Sequence, residues 1–236
     1  MTTRTDTLTV SGSPMRAFVS VPAAKGPHPA IVVMCHIGGL DEFTRDRCER
    51  LAAEGYVAVA PDIFHYHPWS EDRNERRGHL RDQRIVDDIN ASLDHVVAVA
   101  GADPQRLAIL GHCLGGRTAL LGAGAIARLR ALAMYYGGRT MDAWGEGQPS
   151  PFDRIANIKG PVLGCFGNLD KGPSPEDVNK IEAEMRRHAI AVEFHRYETA
   201  GHAFQDHTDP ERYHQAAADD AWEKTLRFFR KTIGGG

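Results

Sequence analysis

A cysteine flanked by glycines follows a short apolar run, in the segment Gly111-His112-Cys113-Leu114-Gly115. The apolar residues before this segment and the helix-compatible residues after it predict a strand, a sharp turn and a helix. Glycines two positions either side of the turn let the strand and helix backbones pass closely, and they leave the central side chain held outward. At the start of a helix, Cys113 would face backbone N–H groups and the positive end of the helix dipole, which favour a thiolate. The pattern therefore predicts a nucleophile, although cysteine is also a common buried apolar residue.

Two later segments contain the partners that a nucleophilic cysteine needs. An apolar run beginning at Val162 ends in Asp170, and His202 closely follows a strand-like segment. The chain order of nucleophile, acid and histidine is that of the α/β-hydrolases. In such a triad the histidine takes the proton of the nucleophile, and the acid orients the histidine and stabilises its charged form.

The loop after the predicted strand 30–34 is the expected source of an oxyanion hole. In α/β-hydrolases one backbone N–H comes from this loop and a second from the residue after the nucleophile. We assign these donors to Ile37 and Leu114. Attack on an ester or lactone carbonyl would form an acyl-thioester, which water would then hydrolyse.

Together these segments resemble the dienelactone hydrolase family, whose nucleophile is a cysteine in a Gly-x-Cys-x-Gly-Gly turn. The resemblance covers nearly the whole chain, and its other matching pieces are residues 31–33 with Gly39, 55–62, 134–137 and 197–204. It implies a triad of Cys113, His202 and Asp170 and the hydrolysis of a small ester or lactone. We expect neither a cofactor nor a metal.

Two positions differ from the better-known members of that family. This chain has His36 where they have a glutamate near the nucleophile, and Asp206 where they have an arginine that binds a substrate carboxylate. We expect His36 to tune Cys113 by a hydrogen bond or an ion pair, the alternative being that it only braces its own loop. Unless an arginine neutralises it, Asp206 should repel an anionic substrate, so neutral esters should react faster. The family's other arginine could match any of Arg73, Arg76, Arg77 and Arg81.

Aromatic side chains close to the predicted strand ends are candidates for the walls of a substrate pocket. Tyr135 matches a family position that contributes to the pocket, although Tyr136 could also emerge there. The irregular segment 63–80 adds further aromatic residues, which could instead only anchor a surface loop. The substrate-binding candidates are Phe64, Trp69, Tyr135, Phe204 and Asp206.

The order of elements predicts an α/β-hydrolase fold. Residues 7–10 and 15–21 flank a Gly/Pro turn, which predicts an antiparallel hairpin. Strands then alternate with helices, which predicts a mostly parallel sheet with helices on both faces. Asp41 and Ser174 are expected to cap helices, and Asp209 with Pro210 to begin the last one. The remaining insertions are short loops, so we expect one domain over residues 1–236 without a cap domain.

Composition narrows the possible partners. The net charge of −3 and the lack of a basic cluster argue against nucleic acid or an anionic membrane as partner. A polar N-terminus and the lack of a long apolar run predict a cytoplasmic protein. Its four scattered cysteines are expected as thiols. His65 and His67 could bind a metal, but their spacing without a carboxylate is a weak signal.

Two other functions remain open at this point. The chain could be a catalytically inactive scaffold that binds a small ligand, or a thiol protein that responds to peroxide, since an activated cysteine oxidises readily. Cys35 could lie close to Cys113 in the folded protein and act as the second thiol of a redox pair. The sequence leaves the physiological substrate undefined, and the protein could be a monomer or a homodimer.

Overall fold

The computed structural model describes residues 1–234 and is built on a sheet of eight strands. The strands are β1 (Thr2–Val10), β2 (Ser13–Val21), β3 (His28–Met34), β4 (Val57–Pro61), β5 (Ala102–His112), β6 (Leu129–Tyr135), β7 (Val162–Gly167) and β8 (Val192–Tyr197). Their order is β1-β2-β4-β3-β5-β6-β7-β8. β2 pairs antiparallel with both β1 and β4, and all other pairs are parallel. The predicted hairpin and the mostly parallel sheet are confirmed.

Helices cover both faces of this sheet. They are α1 (Glu42–Ala53), α2 (Arg73–Gly78), α3 (Asp82–Val99), α4 (Leu114–Ala125), α5 (Pro175–Arg187) and α6 (Gln215–Ile233), with a 3₁₀ helix at Phe152–Asn157. Alternate residues of β3 enter two different cores because side chains alternate along a strand. Ile31 and Val33 pack in the core that includes α1 and α6, and Val32 and Met34 in the core that includes α3, α4 and α5. This double burial explains the continuous apolar runs of the inner strands.

Two predicted helix caps are confirmed. Asp41 accepts a hydrogen bond from the backbone N–H of Thr44 at 3.1 Å, at the start of α1. Ser174 and Asp177 form a reciprocal capping box at the start of α5. None of the helices in residues 1–234 combines the length and the apolar character needed to cross a bilayer.

Two element boundaries differ from the prediction. The segment 63–80 was expected to be irregular, but it contains α2, with Asp72 as the N-cap. The last helix begins at Gln215, because Asp209 instead accepts backbone hydrogen bonds from Arg212 and Tyr213 in a turn. The side chain of His214 then caps the helix by accepting from Ala217 N–H.

Candidate active site

The turn between β5 and α4 holds Cys113 in a strained conformation. Its φ is 57° and its ψ is −119°, a combination that residues other than glycine rarely adopt. The backbones around it are in close contact: a Cβ on Gly111 would lie 2.0 Å from the carbonyl oxygen of Gly115, and one on Gly115 would lie 2.1 Å from that of Met34. The two glycines therefore permit the turn that lifts Cys113 above the strand ends, as the motif predicts.

The loops after β7 and β8 bring Asp170 and His202 together. Leu169 N–H donates to the carbonyl of Ala200 at 3.0 Å, so the two loops run side by side. Gly167 permits this approach, because a Cβ there would lie 2.3 Å from the carbonyl oxygen of Ala200. The carboxyl ends of β5, β7 and β8 thus supply Cys113, Asp170 and His202 at one edge of the sheet.

The three side chains form a continuous hydrogen-bonded chain. His202 Nδ1 lies 2.7 Å from Asp170 Oδ2, and His202 Nε2 lies 3.0 Å from Cys113 Sγ. Asp170 is buried, and its other oxygen accepts from Gly172 N–H at 2.8 Å. Burial opposes the charged imidazole, but the hydrogen bonds to Asp170 and Cys113 outweigh it and raise the pKa of His202 to about 10. The geometry can therefore hold an imidazolium against the sulfur.

The two assigned oxyanion donors belong to residues that line the same cleft as Cys113. Leu114 is the first residue of α4, so its N–H has no acceptor within the helix. The loop that carries Ile37 is held in place from outside, because Arg76 donates to the Ile37 carbonyl at 3.0 Å. The N–H groups of Ile37 and Leu114 stay the predicted oxyanion donors.

His36 lines the cleft, but its ring nitrogens face carboxylates. Nε2 lies 2.5 Å from Asp41 Oδ2, and Nδ1 lies 4.0 Å from Asp206 Oδ2. Burial raises the pKa of Asp41, but the hydrogen bond and charge of His36 outweigh it and leave that pKa below its usual value. The structure has no hydrogen bond from His36 to Cys113 within residues 1–234. The contact with Asp41 was missed from the sequence, where Asp41 was recognised only as a helix cap.

Asp206 also lines the cleft, as the sequence suggested. Its Oδ1 accepts from the backbone N–H of Thr208 at 3.1 Å and from the Thr208 hydroxyl at 2.6 Å. The carboxylate is buried, and its Oδ2 lies 4.0 Å from His36 Nδ1.

Tyr135 and Phe204 do not line the cleft, in contrast to the prediction. Tyr135 is fully buried, and its hydroxyl donates to the Ala221 carbonyl of α6 at 3.0 Å. Phe204 packs behind the site against Tyr136, with ring centroids 5.2 Å apart. The residue that lines the cleft is Tyr136, which leaves the strand with a φ of 38° and packs its ring edge-on against His202.

Phe64 and Trp69 also lie outside the cleft. Their ring centroids are 5.8 Å apart, and the guanidinium of Arg76 lies 4.1 Å from the Trp69 ring centroid. Both rings pack against the loop at Gly39, beside the cleft but outside it. These packing contacts agree with the alternative interpretation, in which the aromatic residues anchor a surface loop.

The cleft at Cys113 opens into two pockets of about 400 Å³ each. Both are lined by Cys113, Ile37, Arg73, His202 and Arg212. The first, here called the acidic pocket, adds the carboxylates of Asp41, Asp206, Asp209 and Glu211. The second, here called the arginine pocket, adds no carboxylate but three further arginines, Arg77, Arg117 and Arg139.

The arginines of the cleft differ in their ion pairs. Arg117 is paired with Asp82 at 2.7 Å, Arg139 with Asp142 at 3.0 Å and Arg212 with Asp209 at 2.7 Å. Within the described 234 residues, Arg73 and Arg77 have no carboxylate within 4.0 Å. Of the four arginines that the sequence left open, these two line the cleft, whereas Arg76 and Arg81 line a separate site beside Trp69.

The other cysteines and the loop histidines have structural surroundings. Cys35, Cys48 and Cys165 are buried free thiols, and burial raises the pKa of each, that of Cys165 to about 12. His65 lies within hydrogen-bonding distance of Ser13 and Asp88, and His67 stacks on His79. No group of three or more potential metal ligands is found among the His, Cys, Asp and Glu residues of the described chain.

Known proteins are similar to this chain over almost its full length. A model described as the "Dienelactone hydrolase family" matches residues 15–233. A "Putative carboxymethylenebutenolidase" of Escherichia coli O157:H7 is 35% identical over 231 residues, which cover 95% of this chain and 84% of that protein. A "Probable 2-oxo-3-(5-oxofuran-2-ylidene)propanoate lactonase" of Bradyrhizobium sp is 30% identical over 231 residues, which cover 95% and 92%. A solved structure described as a "Putative Dienelactone Hydrolase" of Klebsiella pneumoniae superposes with a TM-score of 0.89 at 27% identity, over 98% of both chains.

Proposed function

The chain belongs to the dienelactone hydrolase family, and from this premise we propose that it hydrolyses a small ester or lactone with Cys113 as nucleophile. The observation that carries the proposal is the position of His202, which lies within hydrogen-bonding distance of both Cys113 and Asp170. A nucleophile, a base and an orienting acid in this geometry are the parts of a hydrolytic triad.

The first half of the reaction forms an acyl enzyme. The sulfur of Cys113 attacks the carbonyl carbon, and His202 holds the thiol proton. The oxyanion of the tetrahedral intermediate accepts hydrogen bonds from the N–H groups of Ile37 and Leu114. The C–O bond then breaks, His202 passes its proton to the departing oxygen, and a thioester on Cys113 remains.

The second half releases the acid. Water gives a proton to His202 and attacks the thioester carbonyl, and the same two N–H groups stabilise the second oxyanion. The C–S bond breaks and the sulfur recovers its proton from His202. Asp170 stays ionised throughout and stabilises the imidazolium at each stage.

The relatives suggest the class of substrate. One is named as a carboxymethylenebutenolidase and another as a lactonase for a substrate with a propanoate group. We infer that this chain also accepts lactones. Two pockets of about 400 Å³ suit a small ester or lactone with one part on each side of Cys113.

A substrate screen with active-site variants tests the proposal. Chromogenic esters, lactones and thioesters of varied charge are assayed with the wild type, Cys113→Ala and Cys165→Ser. We expect Cys113→Ala to lose nearly all turnover, His202→Ala and Asp170→Asn to be severely impaired, and Cys165→Ser to remain active. An active Cys113→Ala protein would exclude Cys113 as the nucleophile.

Alkylation provides an independent test of the same assignment. Iodoacetamide near neutral pH should modify Cys113 first, because the other three cysteines are buried thiols with raised pKa values. Mass spectrometry of the folded protein identifies the modified residue. The same measurement after peroxide treatment, beside the ester assay, separates hydrolysis from a redox role or an inactive scaffold.

A further inference from the structure

The residue before the nucleophile is a buried histidine with an ordered environment. His112 is 2% exposed and lies between aromatic rings. Its ring stacks on Tyr135 with centroids 4.4 Å apart, and it meets Phe43 edge-on at 5.0 Å. Burial and the charge of Arg47 lower its pKa well below the usual value, so the ring is neutral and carries a single N–H.

The polar partner of His112 is Gln205, from the loop that carries His202. His112 Nε2 lies 2.6 Å from Gln205 Oε1, and Gln205 Nε2 donates to the Ala218 carbonyl at 3.3 Å. The contact with Ala218 fixes the amide so that its oxygen faces the imidazole. The single N–H of His112 is therefore on Nε2 and donates to Gln205.

This hydrogen bond joins two strained segments. His112 directly precedes Cys113, whose φ is 57°. Gln205 lies two positions after Ala203, which has a φ of 61° and directly follows His202. Positive φ at residues other than glycine is costly and persists only when surrounding contacts hold it. The bond between His112 and Gln205 links residues 93 positions apart and ties the two loops directly.

We propose that the buried pair of His112 and Gln205 positions the nucleophile against its base, by holding the loop of Cys113 and the loop of His202 at the separation that places Nε2 3.0 Å from Sγ. Both are positioning residues, since neither has a hydrogen bond to Cys113 or His202, although His112 also contributes to the lining of the acidic pocket. The inference rests on the proposed function. Loss of the bond should slow chemistry more than it weakens substrate binding, because a misplacement of about 1 Å can cost about 10²-fold in rate.

Three variants test the pair. Gln205→Met keeps an unbranched side chain of similar length without the acceptor, and His112→Phe keeps the aromatic stacking without the donor. The third carries both substitutions. Ser92→Ala is the matched control, because it removes a buried hydroxyl that donates to the Asp88 carbonyl within its own helix α3, away from both triad loops.

We expect kcat of each single variant to fall about tenfold or more with KM changed less than about threefold. The single variants should also melt at lower temperature, because each leaves one buried polar group unpaired. The double variant leaves neither His112 nor its amide partner unpaired, so its melting temperature should rise towards that of the wild type while its kcat stays low. Ser92→Ala should keep the kcat of the wild type.

A double variant that recovers kcat together with its melting temperature would reduce the pair to a structural role and overturn the inference. So would a wild-type kcat in Gln205→Met. The double variant keeps the test decisive if either single variant folds poorly. An active Cys113→Ala protein overturns the proposed function instead, whereas an inactive Cys113→Ala beside a fully active Gln205→Met overturns only this inference.

Discussion

His36 lies between two carboxylates on the wall of the cleft. Its ring is 2.5 Å from Asp41 and 4.0 Å from Asp206, which leaves His202 as the imidazole that contacts the sulfur. An imidazole in this position fixes the Asp41 carboxylate by a hydrogen bond, so it can alter the polar surroundings of Cys113 without touching it.

We predict that His36→Ala lowers kcat/KM by about tenfold and leaves measurable turnover, because it removes the hydrogen bond that fixes Asp41 in the cleft, a loss of about 1.4 kcal/mol. The pH dependence of Cys113 alkylation should shift as well. Asp41→Asn, which removes the partner of the ring, should change that profile too. An unchanged profile in His36→Ala would make this residue structural, and a loss as complete as that of His202→Ala would mean that the base is misassigned.

The contact between His202 and Asp170 predicts a dependence of stability on pH. The pKa of His202 is raised from 6.5 to about 10 in the folded protein, where hydrogen bonds to Asp170 and Cys113 overcome burial. A group with a raised folded pKa contributes stability that is complete below the unfolded value and is lost as the pH rises through the folded value. The contribution should therefore be largest below about pH 6.5 and decline towards pH 10.

Thermal melts of wild type and Asp170→Asn at several pH values measure this effect. The difference in Tm between the two proteins should be larger at pH 6 than at pH 10, since the imidazolium that Asp170 stabilises disappears at high pH. Glu198→Gln, which removes an exposed acid bonded to Asn168 on a neighbouring segment, serves as the control. A difference that grows with pH would contradict the raised pKa.

At the scale of elements, the segment after β6 is fixed to the helix of the nucleophile by one buried arginine. Arg117 of α4 is 1% exposed, pairs with both oxygens of Asp82 and lies against the Trp144 ring. It also donates to the carbonyls of Arg139 and Asp142. Arg117 thereby joins α3, α4 and the wall of the arginine pocket.

We predict that Asp82→Asn destabilises the protein by about 3–5 kcal/mol, because it leaves the charge of Arg117 buried without a counter-ion. Urea denaturation measures the free energy of unfolding. The matched control is Asp142→Asn, whose partner Arg139 is 57% exposed and whose loss should cost about 1 kcal/mol or less. Equal effects of the two substitutions would show that burial of the Arg117 pair does not contribute as argued.

At the scale of the whole molecule, the net charge is only −3, but the two pockets of the cleft differ in the charge of the side chains that line them. Four carboxylates line the acidic pocket and none lines the arginine pocket. The sequence predicted that Asp206 would disfavour anionic substrates unless an arginine neutralised it. Arg73 and Arg212 line the same pocket, but within residues 1–234 neither forms an ion pair with Asp206, because Arg212 is paired with Asp209.

We therefore expect the effect of a substrate carboxylate to depend on the pocket that receives it. Asp206→Asn should raise, and Arg77→Gln should lower, the ratio of kcat/KM for an anionic ester to that for its neutral analogue. Each change should be severalfold, since a charge pair at a solvated pocket mouth contributes about 1 kcal/mol. Steady-state kinetics on one matched pair of esters measures both ratios. A ratio unchanged by either substitution would mean that neither side chain interacts with the substrate carboxylate.

The sequence by itself predicted the hairpin, the doubly covered parallel sheet and the three residues that meet at its edge. These features depend on local signals: an alternating or continuous apolar pattern defines a strand, and glycines at fixed spacing define the turn at Cys113. The known chain order of α/β-hydrolases then related Cys113, Asp170 and His202 to one another. Helix caps at Asp41 and Ser174 were predicted for the same reason, since a cap involves residues three positions apart.

Only the tertiary structure decided which side chains face the cleft and which distant polar groups pair. Neighbouring side chains point to different sides of a strand, and the backbone of Tyr136 leaves the strand with a positive φ, so Tyr136 lines the cleft while Tyr135 stays in the core. His36 and Asp206 lie close together although they are more than a hundred positions apart in the chain. His112 and Gln205 form a hydrogen bond although they are 93 positions apart. No local pattern encodes such pairs, because they form only when the packing of the whole sheet brings its loops together.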